Sequence, residues 1–142
     1  MSTLKVTNVK HETSGLNTLV FDNGGTSGGN GRVTTKGTIG EVITVSYAST
    51  ITLDFRTGNN FTTTLTGNTT FANPSNISAG QSGIIFVLQD GTGSRTAAFG
   101  SYWDFSDGVA PTLSTGANAV DMIAWMARSS TKISAQFVGN FS

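Results

Sequence analysis

The chain has 142 residues, no cysteine, and eight acidic residues balanced by eight basic ones, while 68 residues are Thr, Ser, Asn or Gly. This length fits one compact domain with a short appendage, and the balanced charge excludes the basic stripe with which nucleic-acid binders neutralise phosphates. The lack of cysteine excludes disulfides and thiolate chemistry, and no run approaches the ~20 apolar residues of a membrane span. Because disorder goes with few aromatic residues and a high net charge, the nine Phe, two Trp and two Tyr predict a folded, β-rich chain.

The first predicted segment is residues 1–41. It contains two short strand candidates, Leu4–Val9 and Leu16–Phe21, followed by the glycine-rich connector NGGTSGGNG at 23–31, which is typical of a hinge or tight turn. The opening residues lack the apolar run of a signal peptide, so we expect synthesis in the cytosol.

The second predicted segment is residues 42–142, in which strand-like runs alternate with turn signals every 8–12 residues, as in all-β sandwiches, barrels and meanders. Residues 51–56 and 61–66 each alternate apolar and polar side chains, the pattern of half-buried strands. If the two segments pair directly, a three-residue loop at 58–60 makes their apolar faces coincide. This register places Phe55 opposite Thr63 and Leu53 opposite Leu65.

A second hairpin is predicted around the turn Asp90-Gly91-Thr92-Gly93, between strands Ile84–Leu88 and Ser94–Phe99. An Asp-Gly step between two apolar runs favours a hairpin because both central residues need positive φ. An aromatic cluster follows, and then a loop through Asp107-Gly108 and Pro111. The cluster consists of Phe99, Tyr102, Trp103 and Phe105.

The last predicted pair is Val120–Ala127 and Lys132–Val138, joined by residues 128–131. Residues 117–128 also carry apolar side chains at helical spacing, so a helix competes with a strand here. Alternation fits a strand that is buried on both faces, and the β context on either side favours that interpretation.

The order of these motifs resembles a domain that is widespread at the C-termini of bacteriophage tail-fibre and other virion structural proteins. The resemblance covers residues 42–142 and rests on four signatures in sequence: a strand end LTGN, the turn QDGTG, an aromatic step before APTLST, and a strand beginning VD. The opening MSTLKVTNVKH resembles the start of many short marine-phage tail fibres.

The resemblance implies a virion component, assembled in the host cytoplasm, that forms an all-β knob, a β-sandwich or β-meander, in an intertwined or tightly packed homotrimer. One end would dock on the tail or baseplate, with Leu4, Val6 and Val9 in the attachment strand, and the other would face a host glycan or receptor. The family supplies no catalytic residues and no cofactor. Because the chain is short and has no repeated shaft, a short tail fibre is expected, and a capsid decoration or head-fibre protein is the alternative.

Few residues are candidates for chemistry. His11 is the only histidine, so one chain cannot assemble a His-centred metal cluster or a Ser-His-Asp arrangement, although three copies could meet on a trimer axis. A solvated loop is the favoured interpretation of His11. Asp104 and Asp107 are the one close pair of carboxylates, and a surface turn is favoured over a glycosidase pair or a calcium loop. We therefore predict no enzyme, no metal site and no cofactor.

Aromatic side chains are the remaining candidates, because exposed rings stack on sugars and anchor protein contacts. Tyr102, Trp103 and Asp104 lie beside a predicted loop and are the candidate glycan or receptor contacts, with core packing as the other reading of the two rings. Trp125 lies among apolar neighbours, which predicts a core or subunit-interface position.

Overall fold

The computed structural model describes residues 39–141, which belong to the larger of two units in the chain, Ile39–Ser142. The predictions for Leu4–Val9, Leu16–Phe21, the connector 23–31 and His11 lie outside the described residues. Within 39–141 the chain is all-β, with nine strands and one short 3-10 turn and no α-helix, which confirms the expected class. The strands are β1 Val42–Thr44, β2 Thr50–Ile51, β3 Asn60–Leu65, β4 Thr69–Phe71, β5 Ser82–Gln89, β6 Ala97–Phe99, β7 Trp103–Phe105, β8 Val120–Ser129 and β9 Lys132–Val138, and the 3-10 turn is Ser106–Gly108.

Two sheets share these strands. The six-stranded sheet has the order β1-β3-β5-β8-β9-β7, and the three-stranded sheet has the order β2-β4-β6. From β1 to β6, consecutive strands alternate between the sheets, and each strand runs parallel to the strand two places before it. The chain therefore winds through three coils, each of which adds one strand to each sheet. A parallel bridge between Asp54 and Ser75 ties the first coil to the second between the strands.

The hairpin predicted between 51–56 and 61–66 is wrong. β3 pairs in parallel with β1 and β5, not with the segment before it. After Ile51 the chain leaves the sheet, and the Phe55 amide donates to the Ser75 carbonyl at 3.1 Å. The alternation nevertheless assigned the faces correctly, because Ile51, Leu53 and Phe55 are all buried.

The second predicted hairpin is also wrong, although its turn is present. Asp90 closes a turn, since its Oδ1 accepts from the Thr92 and Gly93 amides at 3.0 and 2.9 Å. The positive φ lies at Gly93, at +73°, and not at the two central residues where the hairpin would need it. The chain then crosses to the other sheet, where β6 pairs with β4. The buried Gln89 side chain fixes the crossing through both the amide and the carbonyl of Arg95.

The β8–β9 hairpin is confirmed, and residues 120–129 form a strand and not a helix. The prediction that both faces of this strand are buried is wrong, however. Asp121, Ile123, Trp125 and Ala127 are buried, whereas the alternate residues are half-exposed or exposed, reaching 53% for Met126. One face of β8 covers the core and the other lies on the outside of the sheet.

One hydrophobic core contains buried residues from both sheets. Phe55 is at its centre, stacked on Trp125 with ring centroids 4.0 Å apart and on Phe61 at 5.9 Å. In the three-stranded sheet Phe71 stacks on Phe99 of the next coil at 5.5 Å. The coils and the β8–β9 hairpin are therefore joined by aromatic contacts as well as by strand pairing.

Candidate functional site

The outer side of the six-stranded sheet carries an unusual apolar surface. Every second residue of each strand points to this side, and the register places Phe86 beside Met122 and Met122 beside Val138. Phe86 and Met122 are partly buried, and Val138 is more exposed, at 41%. We define the apolar face as Ile84, Phe86, Leu88, Val120, Met122 and Val138.

A groove lies on the same side, where β8 ends and β9 begins. It has a volume of about 580 Å³ and combines apolar and polar side chains. Register brings Met126 beside Ser134, and Ser134 beside Asp104 of the edge strand β7. We define the groove by Asp104, Ser106, Met126, Arg128, Ser134 and Gln136.

A small ionic cluster lies at the groove, which is lined by its Asp104 and Arg128. Asp104 pairs with Arg128 and also with Lys132, whose Nζ lies 3.2 Å from Asp104 Oδ1. Lys132 Nζ also donates to the Ser101 carbonyl at 3.2 Å. The two cations are about half-exposed, at 53% and 48%, so the cluster has one surplus positive charge that faces solvent.

The groove also presents neutral hydrogen-bonding groups. Ser106 Oγ donates to Gln136 Oε1 at 3.1 Å, which orients the exposed amide of Gln136, and Ser134 is exposed beside it. Hydroxyl, amide and carboxylate groups beside an apolar Met126 form a surface that can donate to and accept from the hydroxyl groups of a sugar.

The structure separates the three candidate contact residues. Trp103 is only 6% exposed, and its indole N–H donates to the Ala72 carbonyl at 3.1 Å. Trp103 is therefore a core residue, which is the alternative that the sequence allowed, and its ring is not accessible to a ligand. Tyr102 is half-buried and packs against the core. Asp104 alone lies in the groove, because alternate residues of β7 face opposite sides of the sheet.

Sequence reasoning did not identify Arg128, Lys132, Ser134 or Gln136. The alternation pattern of the β8–β9 hairpin could have identified them, because the outward residues of a strand are known once its buried residues are known. What the sequence could not supply was the partner of β7, which pairs in parallel with β9 and so brings Asp104 to these residues.

The other candidate residues in the described part of the chain have structural positions. Asp107 lies in the exposed 3-10 turn with φ of +60°, as expected of a turn residue, and Trp125 is in the core. Between residues 39 and 141, no three His, Cys, Asp or Glu residues form a group that could hold a metal ion. In the same residues no helix is long and apolar enough to cross a membrane.

Two carboxylates outside the groove have lowered pKa values. Asp90 accepts from Arg95 Nη2 at 2.8 Å, and this bond, with the turn amides, lowers the pKa of Asp90. The pKa of Asp54 is lowered mainly because the Asn76 side chain donates to it at 2.7 Å. Both carboxylates fix turns between strands, so they contribute to the coil and not to the groove.

No protein-family model, curated protein or solved structure matches this chain.

Proposed function

We propose that the protein is a non-enzymatic structural component of a bacteriophage virion, a short tail fibre or fibre-like tail component that takes part in host attachment. The supporting observation is the path of the chain. Three parallel coils begin at the edge strand β1, and in the six-stranded sheet they end against the antiparallel pair β8 and β9. A coil that is closed by a hairpin on its C-terminal side suits the terminal knob of an elongated assembly.

The sequence resemblance supports the same proposal, because its four signatures lie in residues that build this coil and its closing hairpin. In this proposal residues 42–142 form a sandwich-like knob, in which two sheets cover one core, and three copies form the functional unit. A domain of this size has a modest core of its own. Contacts between copies would extend that core and cover β1, which is an edge strand among residues 39–141 and is open there to unwanted pairing.

Host attachment would use the groove. Its Asp104 carboxylate and Gln136 amide can bind sugar hydroxyls, and the surplus positive charge of Arg128 and Lys132 favours a glycan that carries a carboxylate or another acidic group. Tyr102 lies two residues before Asp104 and packs against the core.

The virion assignment is tested by gold-labelled antibody to this protein on purified phage particles, viewed by electron microscopy. Label on the tail or baseplate is expected. Label confined to the head would favour the alternative, a capsid decoration or head-fibre protein, whose edge strand β1 could add to a capsid sheet. Particles that bind no antibody, although the antibody recognises the purified protein, would overturn the virion assignment.

The attachment role is tested on a glycan array with wild-type protein, Gln136→Ala and the control Thr52→Ala, which changes an exposed residue on the other side of the molecule. We expect the wild type and the control to bind acidic glycans equally and Gln136→Ala to bind at least tenfold more weakly. Equal binding by all three, or no binding by the wild type, would rule out the groove as the contact.

A further inference from the structure

We propose that Asp107 is a site of spontaneous covalent modification, at which its carboxyl group reacts with the backbone amide of Gly108 and the residue converts to isoaspartate. The inference goes beyond the proposed function and does not depend on it. The sequence contains two Asp-Gly steps, Asp90-Gly91 and Asp107-Gly108. The structure leaves the second step free to react and holds the first in place.

The reaction needs no enzyme and no oxidant. The amide nitrogen of Gly108 attacks Cγ of Asp107, and the proton of the nitrogen leaves with the carboxyl hydroxyl group as water. The product is a five-membered succinimide ring, which forms readily because both reacting groups belong to one short segment. Water then opens the ring at one of its two carbonyl carbons. Opening at Cγ restores aspartate, whereas opening at the α-carbonyl carbon leaves the main chain running through Cγ, which is isoaspartate.

The side chain of Asp107 is free to make this approach. Glycine is the residue that least obstructs the attack, because it has no Cβ beside the attacking nitrogen. Asp107 and Gly108 are both exposed, and no residue between 39 and 141 donates a hydrogen bond to the Asp107 carboxylate. The carboxyl group can therefore rotate toward the amide of Gly108.

The backbone of the turn also offers little resistance to the rotation that the attack requires. Asp107 has φ of +60° and Gly108 has φ of +70°, so two consecutive residues lie in the left-handed region that residues with a Cβ rarely occupy. The backbone hydrogen bond that closes the turn, from the Val109 amide to the Ser106 carbonyl, is long at 3.3 Å. Exposed segments with few hydrogen bonds open locally at a low free energy. Such an opening lets the nitrogen and Cγ approach each other.

Asp90 is the internal comparison, because the fold restrains the same reaction there. Its Oδ1 accepts from the Thr92 and Gly93 amides at 3.0 and 2.9 Å, and its Oδ2 accepts from Arg95 Nη2 at 2.8 Å. Only 20% of the side chain is exposed. The hydrogen bond from Arg95 also lowers the pKa of Asp90, which disfavours the neutral carboxylic acid from which the hydroxyl group leaves most readily.

The modification has a consequence for the groove, and this consequence alone rests on the proposed function. Ser106 precedes Asp107 in the turn and donates to Gln136 Oε1 at 3.1 Å. Isoaspartate adds one methylene group to the main chain beside Ser106, so the turn cannot hold the serine hydroxyl group in the same position. We expect the modified protein to bind acidic glycans more weakly, in proportion to its isoaspartate content.

The site is tested by incubating the full-length protein at neutral pH in water enriched in oxygen-18. Each opening of the ring by water places one labelled oxygen in the residue, and peptide mass spectrometry with electron-transfer fragmentation locates the label and identifies isoaspartate. The same incubation in guanidinium chloride is the control for local sequence. Gly108→Ala is the control for the attacking nitrogen, because nothing lies within 4 Å of its added Cβ, and circular dichroism confirms that this variant is folded.

In the folded protein we expect Asp107 to gain label at least tenfold faster than Asp90, and in guanidinium chloride we expect the two to gain label at similar rates. Gly108→Ala should remove most of the label at Asp107. Equal labelling of the two residues in the folded protein, or no label at Asp107, would overturn the site. A preference for Asp107 that is as large in guanidinium chloride would also overturn it, because local sequence and not the fold would then set the rate.

The effect on the groove is measured on a glycan array with incubated wild type and incubated Gly108→Ala. We expect only the wild type to lose binding. Labelled wild type that binds acidic glycans as tightly as fresh protein would overturn the effect on the groove. Fresh wild type that binds no glycan would overturn the proposed attachment role and leave the modification of Asp107 intact.

Discussion

Asp121 is the one charged side chain that is fully buried between residues 39 and 141, with 1% of its surface exposed. It lies at the start of β8, where its two carboxylate oxygens accept from the Ser114 amide at 2.9 Å and the Asn140 amide at 3.0 Å. One side chain thus ties the loop before β8 and the segment after β9 to the same strand. Buried polar groups of this kind stabilise a fold only while every partner remains in place.

Replacing Asp121 by alanine leaves both backbone amides without their acceptor. We expect the free energy of unfolding to fall by about 3 kcal/mol, measured by urea denaturation, and hydrogen exchange to accelerate at Ser114 and Asn140. Asp121→Asn keeps one accepting oxygen and should lose less. Glu41→Ala, which removes an exposed carboxylate, is the control and should change stability by less than about 0.5 kcal/mol. Equal stability of Asp121→Ala and the control would contradict this role.

The turn carboxylate Asp90 predicts a specific pH dependence. Its hydrogen bond from Arg95 lowers its pKa in the folded protein, below the ordinary value of about 3.9 that the unfolded chain has. A group with a lowered folded pKa stabilises the fold above the unfolded pKa, and that stabilisation is lost as the pH falls through the folded value. The turn should therefore weaken only in acid, below about pH 3.9.

Arg95→Met removes the main cause of that lowered pKa. In an NMR titration of the carboxyl groups, we expect the Asp90 inflection to move up toward the ordinary value and acid unfolding to begin at a higher pH. Asp54 serves as the internal control, because its pKa is lowered mainly by Asn76. An Asp90 inflection that does not move in Arg95→Met would show that the turn amides alone lower the pKa.

At the scale of the strands, the sequence identified which side chains lie on the same face of a strand. It did not identify which strands pair with each other. Alternation identified Ile51, Leu53 and Phe55 as one buried set, because the period of a strand determines which side chains share a side. It could not identify what lies next to each strand, since the same pattern fits a parallel and an antiparallel neighbour. The Asp90-Gly91 turn is compatible with a hairpin, but a turn of the same local chemistry also starts a crossing to the other sheet.

The same distinction explains why the sequence identified some features of the groove and not others. Asp104 was identified from its local sequence, and the β8–β9 hairpin was identified because its two strands are adjacent in the chain. The contact between Asp104 and Lys132 depends on β7 pairing with β9, and about thirty residues separate these strands. Long-range pairing of this kind is decided by the packing of the whole core and not by any short motif.

Close stacking of the coils depends on Gly83 of β5. A Cβ at this position would lie 1.9 Å from the carbonyl oxygen of Asn59, a backbone atom that cannot move without shifting the start of β3. We expect Gly83→Ala to lower the free energy of unfolding by about 3 kcal/mol, measured by urea denaturation. Gly91→Ala is the matched control, because nothing lies within 4 Å of its added Cβ. A small effect at Gly83 comparable to that at Gly91 would show that the coils are less tightly stacked than described.

At the scale of the whole described unit, the coil and the closing hairpin share a single core. The two tryptophans of the chain both contact Phe55 of the first coil: Trp125 of β8 stacks on it at 4.0 Å, and Trp103 of β7 meets it edge-on at 6.4 Å. Phe55 thus joins the beginning of the coil to the strands that close it. Tryptophan fluorescence should report the integrity of that junction.

Phe55→Ala would leave a cavity between the first coil and the closing strands, and we expect it to lower the free energy of unfolding by about 4 kcal/mol. Because residues of both sheets belong to one core, the loss should appear at the same urea concentration in tryptophan fluorescence and in far-ultraviolet circular dichroism, as for a two-state domain. Thr52→Ala, three residues away and exposed, is the control and should leave both curves unchanged. If fluorescence changed at lower urea than circular dichroism, β7, β8 and β9 would detach from the coil before the coil itself unfolds, and the hairpin would be a separable cap.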